Sequence, residues 1–498
     1  MPIEYDLVII GASEVGIEAA KIAARYGARV ALVQQGELEI GPIVQRVFLE
    51  RIFSASGQFP WGEPWRDRPS DRWRDQQSNQ QTARSRQGQR LGQFIQTAIA
   101  DYQRLSSPEA LGMLGIEVIA GRGQFCRVPK SGFLLEDQRV LRSRAFLLAL
   151  PQELVVTIPG LAEAGYLTIE TVLTALHQPT STQILQPTMT LIGEDEQTVA
   201  LAWGFQQLGN QVTLITGSSQ ILPQADPDAA FRFQAKLEAQ GIRILTHTDV
   251  TQVSRRNDRL WLQLNPSQIQ PNALATDAIV LTSRRINLTS LGLEKLGVHL
   301  PLALDGPFDQ LPNMTLQAFG CPVYACPPTP AHPYSVAHAW IQRILLTPWR
   351  RSPEVYPALY AVQTPIPMAG AGLTEPLAKN QQGRDCVILP AVFPATALGH
   401  DSPLWCKVIT RRNGELLGIH AVGDGAIAVV ELLNQALNQR LNLKALGNLT
   451  SLPTRQGAIV QQLAEQWQHQ QRPHWRQELW LDWFAWRRMR AMKQSRSS

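Results

Sequence analysis

Apolar and polar positions follow one another along the chain in blocks that predict three structural parts. Two segments, residues 5–33 and 191–216, each begin with an apolar run ending at a glycine, continue as a helical stretch and close with a second apolar run. This is the pattern of a βαβ unit. From about Tyr356 the pattern changes to antiparallel strands with helices at Ala426–Asn438 and Gln456–Gln468, which predicts an α+β terminal domain.

Composition adds two unusual segments to this plan. With 498 residues, 44% of them hydrophobic, the chain can form two to four packed domains. Residues 58–90 are rich in Arg, Gln, Ser and Pro and nearly lack aliphatic residues, which predicts a flexible or partner-ordered insert. A helix is expected to follow from about Leu91 to Leu105. The net charge of +5 is small, but positive charge is concentrated in residues 66–90 and 472–496.

Cysteine content and hydropathy predict the compartment. Five cysteines in a chain of this length do not form a disulfide framework, which fits a reducing environment. No apolar run reaches the length of about 18 residues that spans a bilayer, and the first residues lack the features of a signal peptide. We therefore expect a cytoplasmic protein.

Several local strings carry a family resemblance. They include "DLVIIGASEVGIEAAKIAARYGARVALV", "FQQLGNQVTLI", "ILPQADPDA", "NGELLGIHAVGDGAIAVVELLNQAL" and "SLPTRQGAIVQQLAE". In their order they resemble the class I pyridine nucleotide-disulfide oxidoreductases, such as dihydrolipoamide dehydrogenase, mercuric reductase and glutathione reductase. The resemblance implies an α/β fold: two Rossmann-like FAD/NAD(P)-type domains plus an α+β C-terminal dimerisation domain, in a homodimer.

The resemblance also implies domain boundaries. The expected parts are an FAD-type domain in two pieces (1–165 and 287–355), an NAD(P)-type domain (166–286), the dimerisation domain (356–468) and a basic Trp-rich tail (469–498).

The family's redox groups are replaced in this sequence. The family moves hydride from NAD(P)H to FAD, then to a dithiol just after the second strand, with help from a His-Glu pair of the partner subunit. The corresponding first segment reads "GELEIGPIVQRVFLERI", and no cysteine precedes Cys126. Leu452 and Gly457 stand at the positions of the histidine and the glutamate, and neither can transfer a proton. Because the thiolate is the reactive species, disulfide reduction by the family mechanism is excluded at this position.

The FAD fingerprint is also altered. Gly11 and Gly16 keep the first and third glycines of G-x-G-x-x-G, but Ser13 takes the second, where backbone must approach the pyrophosphate. Gln34 replaces the acid that reads the ribose, and Gly320-Cys321 replaces a Gly-Asp pair that contacts the ribityl chain. The resemblance and these departures together predict FAD binding that is weak or absent.

Three acids occupy the second βαβ turn. Gly193 keeps the first glycine, while Asp195 and Thr198 take the second and third, with Glu194 and Glu196 beside them. Carboxylates can cap the helix N-terminus that would otherwise attract a diphosphate. The sequence therefore predicts that NAD(P)H does not bind at this turn.

Other candidate groups leave alternatives open. Cys321 and Cys326 have dithiol spacing and are either a relocated redox pair or two buried small residues. His332 and His338 are interpreted as packing or surface residues, and no metal site is expected. The tail is either a helix folded back on its own dimer or a docking element, and a nucleic-acid role is disfavoured because no binding fold accompanies the basic segments. The candidate docking residues are Trp475, Trp480, Trp483, Trp486, Arg487 and Arg488.

Two functions are consistent with these features. The first is a catalytically silent family member that acts as a homodimeric scaffold, binding a protein partner or an anionic membrane surface through residues 58–90 and 469–498. The second is an FAD-dependent NAD(P)H oxidoreductase that acts on a non-disulfide acceptor.

Overall fold

The structure of the chain is a computed structural model. The residues it describes are 3–36, 38–55, 77–126, 132–154, 156–175, 188–266, 272–282, 284–285, 291–293, 316–318, 321–325, 333–346, 359–394, 403–449, 455–471 and 474–494. They divide into two compact units, one of residues 1–224 with 230–365 and the other of residues 225–229 with 366–498.

The elements up to residue 175 belong to the first unit. The strands are β1 (Leu7–Ile10), β2 (Val30–Gln34), β3 (Ile116–Ala120), β4 (Gly123–Cys126), β5 (Gly132–Leu135), β6 (Val140–Leu141), β7 (Phe146–Leu148) and β8 (Glu153–Leu154). The helices are α1 (Glu14–Arg25), α2 (Gly41–Ala55), α3 (Gln77–Leu105), α4 (Pro108–Gly112), α5 (Leu161–Ala164) and α6 (Ile169–Ala175).

The second half of the first unit adds further strands and helices. The strands are β9 (Thr188–Ile192), β10 (Gln211–Ile215), β11 (Arg243–Leu245), β12 (Thr248–Arg256), β13 (Arg259–Pro266), β14 (Ala273–Thr276), β15 (Ala278–Leu281), β16 (Arg284–Arg285), β17 (Leu316–Ala318), β18 (Cys321–Ala325) and β19 (Tyr360–Val362). The helices are α7 (Glu196–Gln207), α8 (Pro227–Ala239), whose first residues belong to the second unit, and α9 (Pro333–Ile341), which a short π-helical segment (Gln342–Leu346) follows.

The N-terminal βαβ unit forms the centre of a mainly parallel sheet. Within the described residues the strand order is β17–β18–β7–β1–β2–β3, with β17 antiparallel at one edge. Every residue of β1 is buried, as expected for a strand covered on both faces. Helix α1 packs its alanines on this sheet, and α9 packs beside it. The apolar runs read from the sequence therefore form one Rossmann-like core.

The second βαβ unit forms a smaller parallel sheet. Its strand order in the described part of the chain is β11–β10–β9–β15, and an antiparallel sheet, β12–β13–β14, follows in sequence between β11 and β15. The residues of α7 from Thr198 to Phe205 are buried, so this helix lies inside the unit.

The second unit is built on an antiparallel sheet. Its strands are β20 (Met368–Gly372), β21 (Cys386–Phe393), β22 (Leu404–Arg411) and β23 (Leu416–Val422), paired in the order β20–β23–β22–β21. Its helices are α10 (Glu375–Gln382), α11 (Ala426–Asn438), α12 (Leu443–Leu449), α13 (Arg455–Gln471) and α14 (His474–Gln494), and a 3₁₀ turn covers Gly383–Asp385. Within the described residues, no helix is both long and apolar enough to cross a membrane.

The fold class predicted from the sequence is confirmed, and helix α3 departs most from its expected extent. Helix α3 begins at Gln77 and not near Leu91, so its first turns lie in the segment that was expected to be a flexible insert. The physical reason is that Gln, Ala and Arg are adequate helix formers and can extend a helix that the apolar positions after Leu91 anchor. Residues 58–76 lie outside the described residues. The domain boundaries stay predictions.

Candidate functional site

The first βαβ turn is closed by its own side chains. Ser13 is buried and caps α1, because its Oγ accepts a hydrogen bond from the backbone N–H of Gly16 at 3.2 Å. A Cβ on Gly11 would lie 2.3 Å from the carbonyl oxygen of Ala149, and the φ of Gly11 is +106°. The two retained glycines therefore let the turn pack against the end of β7, while the serine takes up an amide that could face an anion.

A cavity of about 1200 Å³ lies beyond the carboxyl ends of β2, β3 and β7. Gln34, the last residue of β2, lines it and donates through Nε2 to the carbonyl oxygen of Gly36 at 2.9 Å. Crevices of this kind hold ligands in open α/β sheets. The volume exceeds that of most small-molecule sites.

One wall of this cavity contains an ion pair and a buried carboxyl group. Arg284 of β16 forms an ion pair with Glu170 of α6, and a Cβ on Gly41 would collide with that pair. Glu39, which precedes α2, is only 8% exposed. Burial raises the pKa of Glu39 to about 7, although the nearby Arg284 opposes this rise. The wall therefore contains a carboxyl group that titrates near neutral pH.

Asp195 fills the second βαβ turn. It is the N-cap of α7, and its carboxylate accepts hydrogen bonds from the backbone N–H of Thr198 at 2.7 Å and from the Thr198 hydroxyl at 2.5 Å. The Thr198 and Thr282 hydroxyls are 2.6 Å apart. Burial raises the pKa of Asp195. Atoms of the chain itself therefore occupy the space at this helix N-terminus.

Glu194 accepts hydrogen bonds from two residues along the same edge of the sheet. Its carboxylate accepts hydrogen bonds from the Thr216 hydroxyl at 3.1 Å and from the Ser218 hydroxyl at 2.5 Å. Thr216 and Ser218 follow β10, where a dinucleotide's ribose would be read. A nicotinamide dinucleotide would have to displace both Glu194 and Asp195 to use this turn.

Helix α2, which corresponds to the dithiol segment, packs into the core. Val44 and Phe48 are fully buried. The Phe48 ring lies 5.5 Å from the Phe205 ring of α7, and a Cβ on Gly204 would lie 2.4 Å from the Phe48 ring. Gln45 donates to the backbone oxygen of Gln197 across the same contact at 3.4 Å. An apolar contact between the two βαβ units thus stands beside the position where a redox dithiol would lie.

The remaining predicted site residues are not brought together in the described residues. Cys321 begins β18, and Gly457 lies in α13. The Nε2 atom of His338, in α9, lies 3.4 Å from the Tyr26 hydroxyl. Gly320, Cys326, His332 and Leu452 lie outside the described residues.

Helix α14, in the tail, carries exposed aromatic side chains. Trp480 and Trp483 pack edge to face with ring centroids 5.4 Å apart, and Arg487 stacks on Trp483 at 4.8 Å. The large apolar side chains exposed to solvent are those of Leu479, Trp480, Leu481, Trp483, Phe484, Trp486 and Met489. Arg488 is exposed beside them, and Trp475 lies in the first turn. Exposed apolar side chains grouped on one helix are a feature of interaction surfaces in general.

A buried ionic cluster in the second unit lies outside the residues that the sequence singled out. Lys407 of β22 is 2% exposed, and its Nζ lies 2.7 Å from carboxylate oxygens of Asp226, Asp228 and Glu375. Burial alone would lower the pKa of Lys407, but these hydrogen bonds raise it. The cluster ties residues 225–229 to the antiparallel sheet.

Comparison with known proteins identifies the family. The sequence model described as pyridine nucleotide-disulphide oxidoreductase matches residues 5–301, more than half of the chain. This chain belongs to that family. Similar curated relatives include glutathione reductase of Nostoc sp. strain PCC 7120, 24% identical over 86% of this chain and 93% of the relative. Mercuric reductase of Staphylococcus aureus is 24% identical over 89% of this chain and 79% of its own length.

A solved structure supports the same fold. A copper(II) complex of a mutant of the HOCl-induced flavoprotein disulfide reductase RclA of Escherichia coli covers 93% of this chain and 99% of its own, with a TM-score of 0.67 and 19% identity. Such a likeness establishes architecture and not chemistry.

Several important residues of this family member were missed by the sequence reading. Phe48, Glu39 and Lys407 matter because of partners distant in sequence, and neither spacing nor composition reveals such partners. The one available signal was a charged residue, Lys407, within the apolar strand "LWCKVIT". A charge in such a strand requires a buried partner.

Proposed function

We propose that this chain has lost NAD(P)H-dependent disulfide reduction and acts as a homodimeric docking scaffold. The observation that carries the proposal is the second βαβ turn, where Asp195 and Glu194 satisfy the groups that a dinucleotide would bind. The named relatives are reductases, so this chain departs from them in chemistry while keeping their architecture.

The missing thiols support the same conclusion. Electrons in the family pass through a dithiol, and no cysteine precedes Cys126. Phe48, in the corresponding helix α2, is buried against Phe205. Restoring one group would therefore not restore turnover.

The first test is spectroscopic and kinetic. The full chain is purified without added cofactor, its visible spectrum is recorded, and NADH and NADPH oxidation is followed with a small aromatic disulfide as acceptor. We expect no turnover above the buffer rate. A yellow preparation that NADPH bleaches, with turnover of about 1 s⁻¹ or more, would refute the proposal.

A variant tests the turn itself. Replacing Glu194 by Ala and Asp195 by Gly removes the internal carboxylates, so NADH fluorescence titration should detect binding that the parent chain lacks. Glu163→Ala, at an exposed acid of α5, is the matched control and should behave like the parent. Equal NADH binding by parent and variant would show that the carboxylates do not block the site.

The docking element of the proposal is helix α14, and its partner is an anionic membrane surface. The eight residues from Leu479 to Trp486 hold one charge, Asp482, and span roughly 12 Å. The helix carries five basic and two acidic residues, with the bases concentrated after Trp486. Trp and Arg together favour the lipid headgroup region, whereas excess positive charge disfavours contact between two copies of the helix.

Vesicle sedimentation tests this assignment. The full chain should pellet with vesicles of mixed phosphatidylcholine and phosphatidylserine and should remain in solution with phosphatidylcholine alone. Trp480→Ala with Trp483→Ala should abolish pelleting, while Trp261→Ala, at a 39% exposed tryptophan of β13, should leave it unchanged. Pelleting that survives the double substitution, or the absence of pelleting in the parent, contradicts the assignment.

The homodimer is tested separately by light scattering coupled to gel filtration. A mass near twice 55.4 kDa is expected. A mass equal to that of one chain would contradict the homodimer.

The large cavity favours a second function. An FAD-dependent oxidoreductase acting on a non-disulfide acceptor would use it, because the volume is ample for a dinucleotide. The polar lining does not fit the diphosphate of FAD, however, because four carboxyl side chains outnumber two guanidinium groups there. The visible spectrum described above separates the two functions.

A further inference from the structure

The cavity beside β2 has an unusual polar lining. Six glutamines contribute to its wall, and a glutamine amide carries both donor and acceptor atoms. They are Gln34, Gln35, Gln103, Gln124, Gln138 and Gln152. Hydroxyl groups of a ligand also donate and accept, so this lining complements a hydroxyl-bearing molecule, whereas a phosphate requires donors alone.

The charges of the wall oppose an anionic ligand. Its acids are Glu39, Glu136, Glu153 and Glu170, and its bases are Arg122 and Arg284. Glu170 already pairs with Arg284, so Arg122 is the remaining base. In a crevice of reduced dielectric, like charges repel more strongly than in water. A diphosphate would therefore enter an environment that is acidic on balance.

The adjacent helix N-terminus does not compensate for this charge. The Ser13 hydroxyl accepts the Gly16 amide hydrogen, and Glu14 stands in the first turn of α1, where it pairs with Arg46. The positive end of the helix dipole is thus already satisfied by groups of the chain.

Two buried donors of the wall point to a ligand. In the part of the chain that the structure describes, Gln35 Nε2 and Arg284 Nε are buried without a hydrogen-bond partner. A buried donor without a partner is costly, and such groups in folded proteins are generally satisfied. Both residues line the cavity, so a rotation of either side chain would bring its unpaired donor to a ligand oxygen.

From these features we infer that the cavity binds an uncharged, hydroxyl-bearing small molecule and rejects its phosphorylated counterparts. This inference goes beyond the docking role, because it concerns a different surface of the chain and survives if α14 does not bind lipid.

A matched ligand series tests the inference. Riboflavin, FMN and FAD share one ring system and ribityl chain but differ in phosphate content, and the binding of each to the full chain can be followed by fluorescence anisotropy. Riboflavin should bind at least about tenfold more tightly than FMN or FAD, a difference of about 1.4 kcal/mol. FAD binding as tightly as riboflavin, or no binding of any of the three, would overturn the inference.

Substitutions connect the preference to the wall. Glu136→Gln with Glu153→Gln removes two negative charges, so the ratio of riboflavin to FAD affinity should fall by several-fold. Glu163→Gln, outside the cavity, should leave the ratio unchanged. Gln35→Glu removes the unpartnered donor and should weaken riboflavin binding about tenfold or more; an unchanged dissociation constant would show that this amide does not contact the ligand.

Discussion

Glu39→Gln should stabilise the protein at neutral and alkaline pH. Glu39 is 8% exposed, and burial raises the pKa of its carboxyl group from 4.5 to about 7. Between these two pH values, the unfolded chain releases a proton that the folded chain retains. The folded pKa is the higher one, so the contribution of this group is fully present below pH 4.5 and is lost as pH rises through 7.

The size of the effect follows from the shift. A difference of about 2.5 pKa units corresponds to about 3 kcal/mol of unfolding free energy lost by pH 8, since each unit is worth 1.36 kcal/mol. Glutamine has nearly the same shape and carries no proton to release. The variant should therefore exceed the parent by about 3 kcal/mol at pH 8 and by less than about 1 kcal/mol at pH 5.

Urea unfolding followed by circular dichroism at several values between pH 5 and pH 8 measures this difference. Glu163→Gln is the control, because it makes the same change at an exposed position of α5, and its curve should parallel that of the parent. A Glu39→Gln curve that also runs parallel to the parent, or lies below it at pH 8, would show that folding does not raise the pKa of Glu39 and that the reasoning is wrong.

Two further predictions concern buried groups and are measured by the same urea unfolding. Lys407→Met should lower the unfolding free energy by about 3 to 5 kcal/mol, because it leaves the carboxylate of Asp226 buried without its cation. The control Lys444→Met, at an exposed position of α12, should lower it by less than about 0.5 kcal/mol. Equal losses would mean that the cluster is solvated. Phe48→Ala should lower the unfolding free energy by about 3 to 5 kcal/mol. The control Phe231→Ala, at a 73% exposed ring, should lower it by less than about 0.5 kcal/mol. A small loss at Phe48 would show that the contact between α2 and α7 is loose.

Much of the fold was predictable because it depends on local periodicity. Strand β10 and helix α11 have the bounds that the pattern gave, since an apolar run between polar turns or an apolar helical face specifies both ends. Helix α3 was only partly predicted, because its first turns lack the apolar face on which the prediction depends. Helix propensity extended α3 toward its N-terminus from the apolar positions that pack after Leu91.

The candidate site was predictable only where one turn contains all of its parts. Asp195 lies three residues before Thr198, so its capping of α7 follows from sequence spacing. The bonds from Thr216 and Ser218 to Glu194 join positions more than 20 residues apart, and the cavity wall joins Glu39 to Arg284. Such partners depend on how the strands are ordered in the sheet, which periodicity does not encode.

The sequence by itself determined which residues stand at the family's reactive positions: no cysteine precedes residue 126, and carboxylates occupy the second turn. Only the tertiary structure decided what stands in their place. Phe48 against Phe205, Lys407 among three carboxylates and the glutamine-lined cavity all arise where distant segments meet. The physical reason is that burial determines how strongly a charge, an apolar contact or an unpaired donor affects stability and binding. Burial is a property of the folded chain.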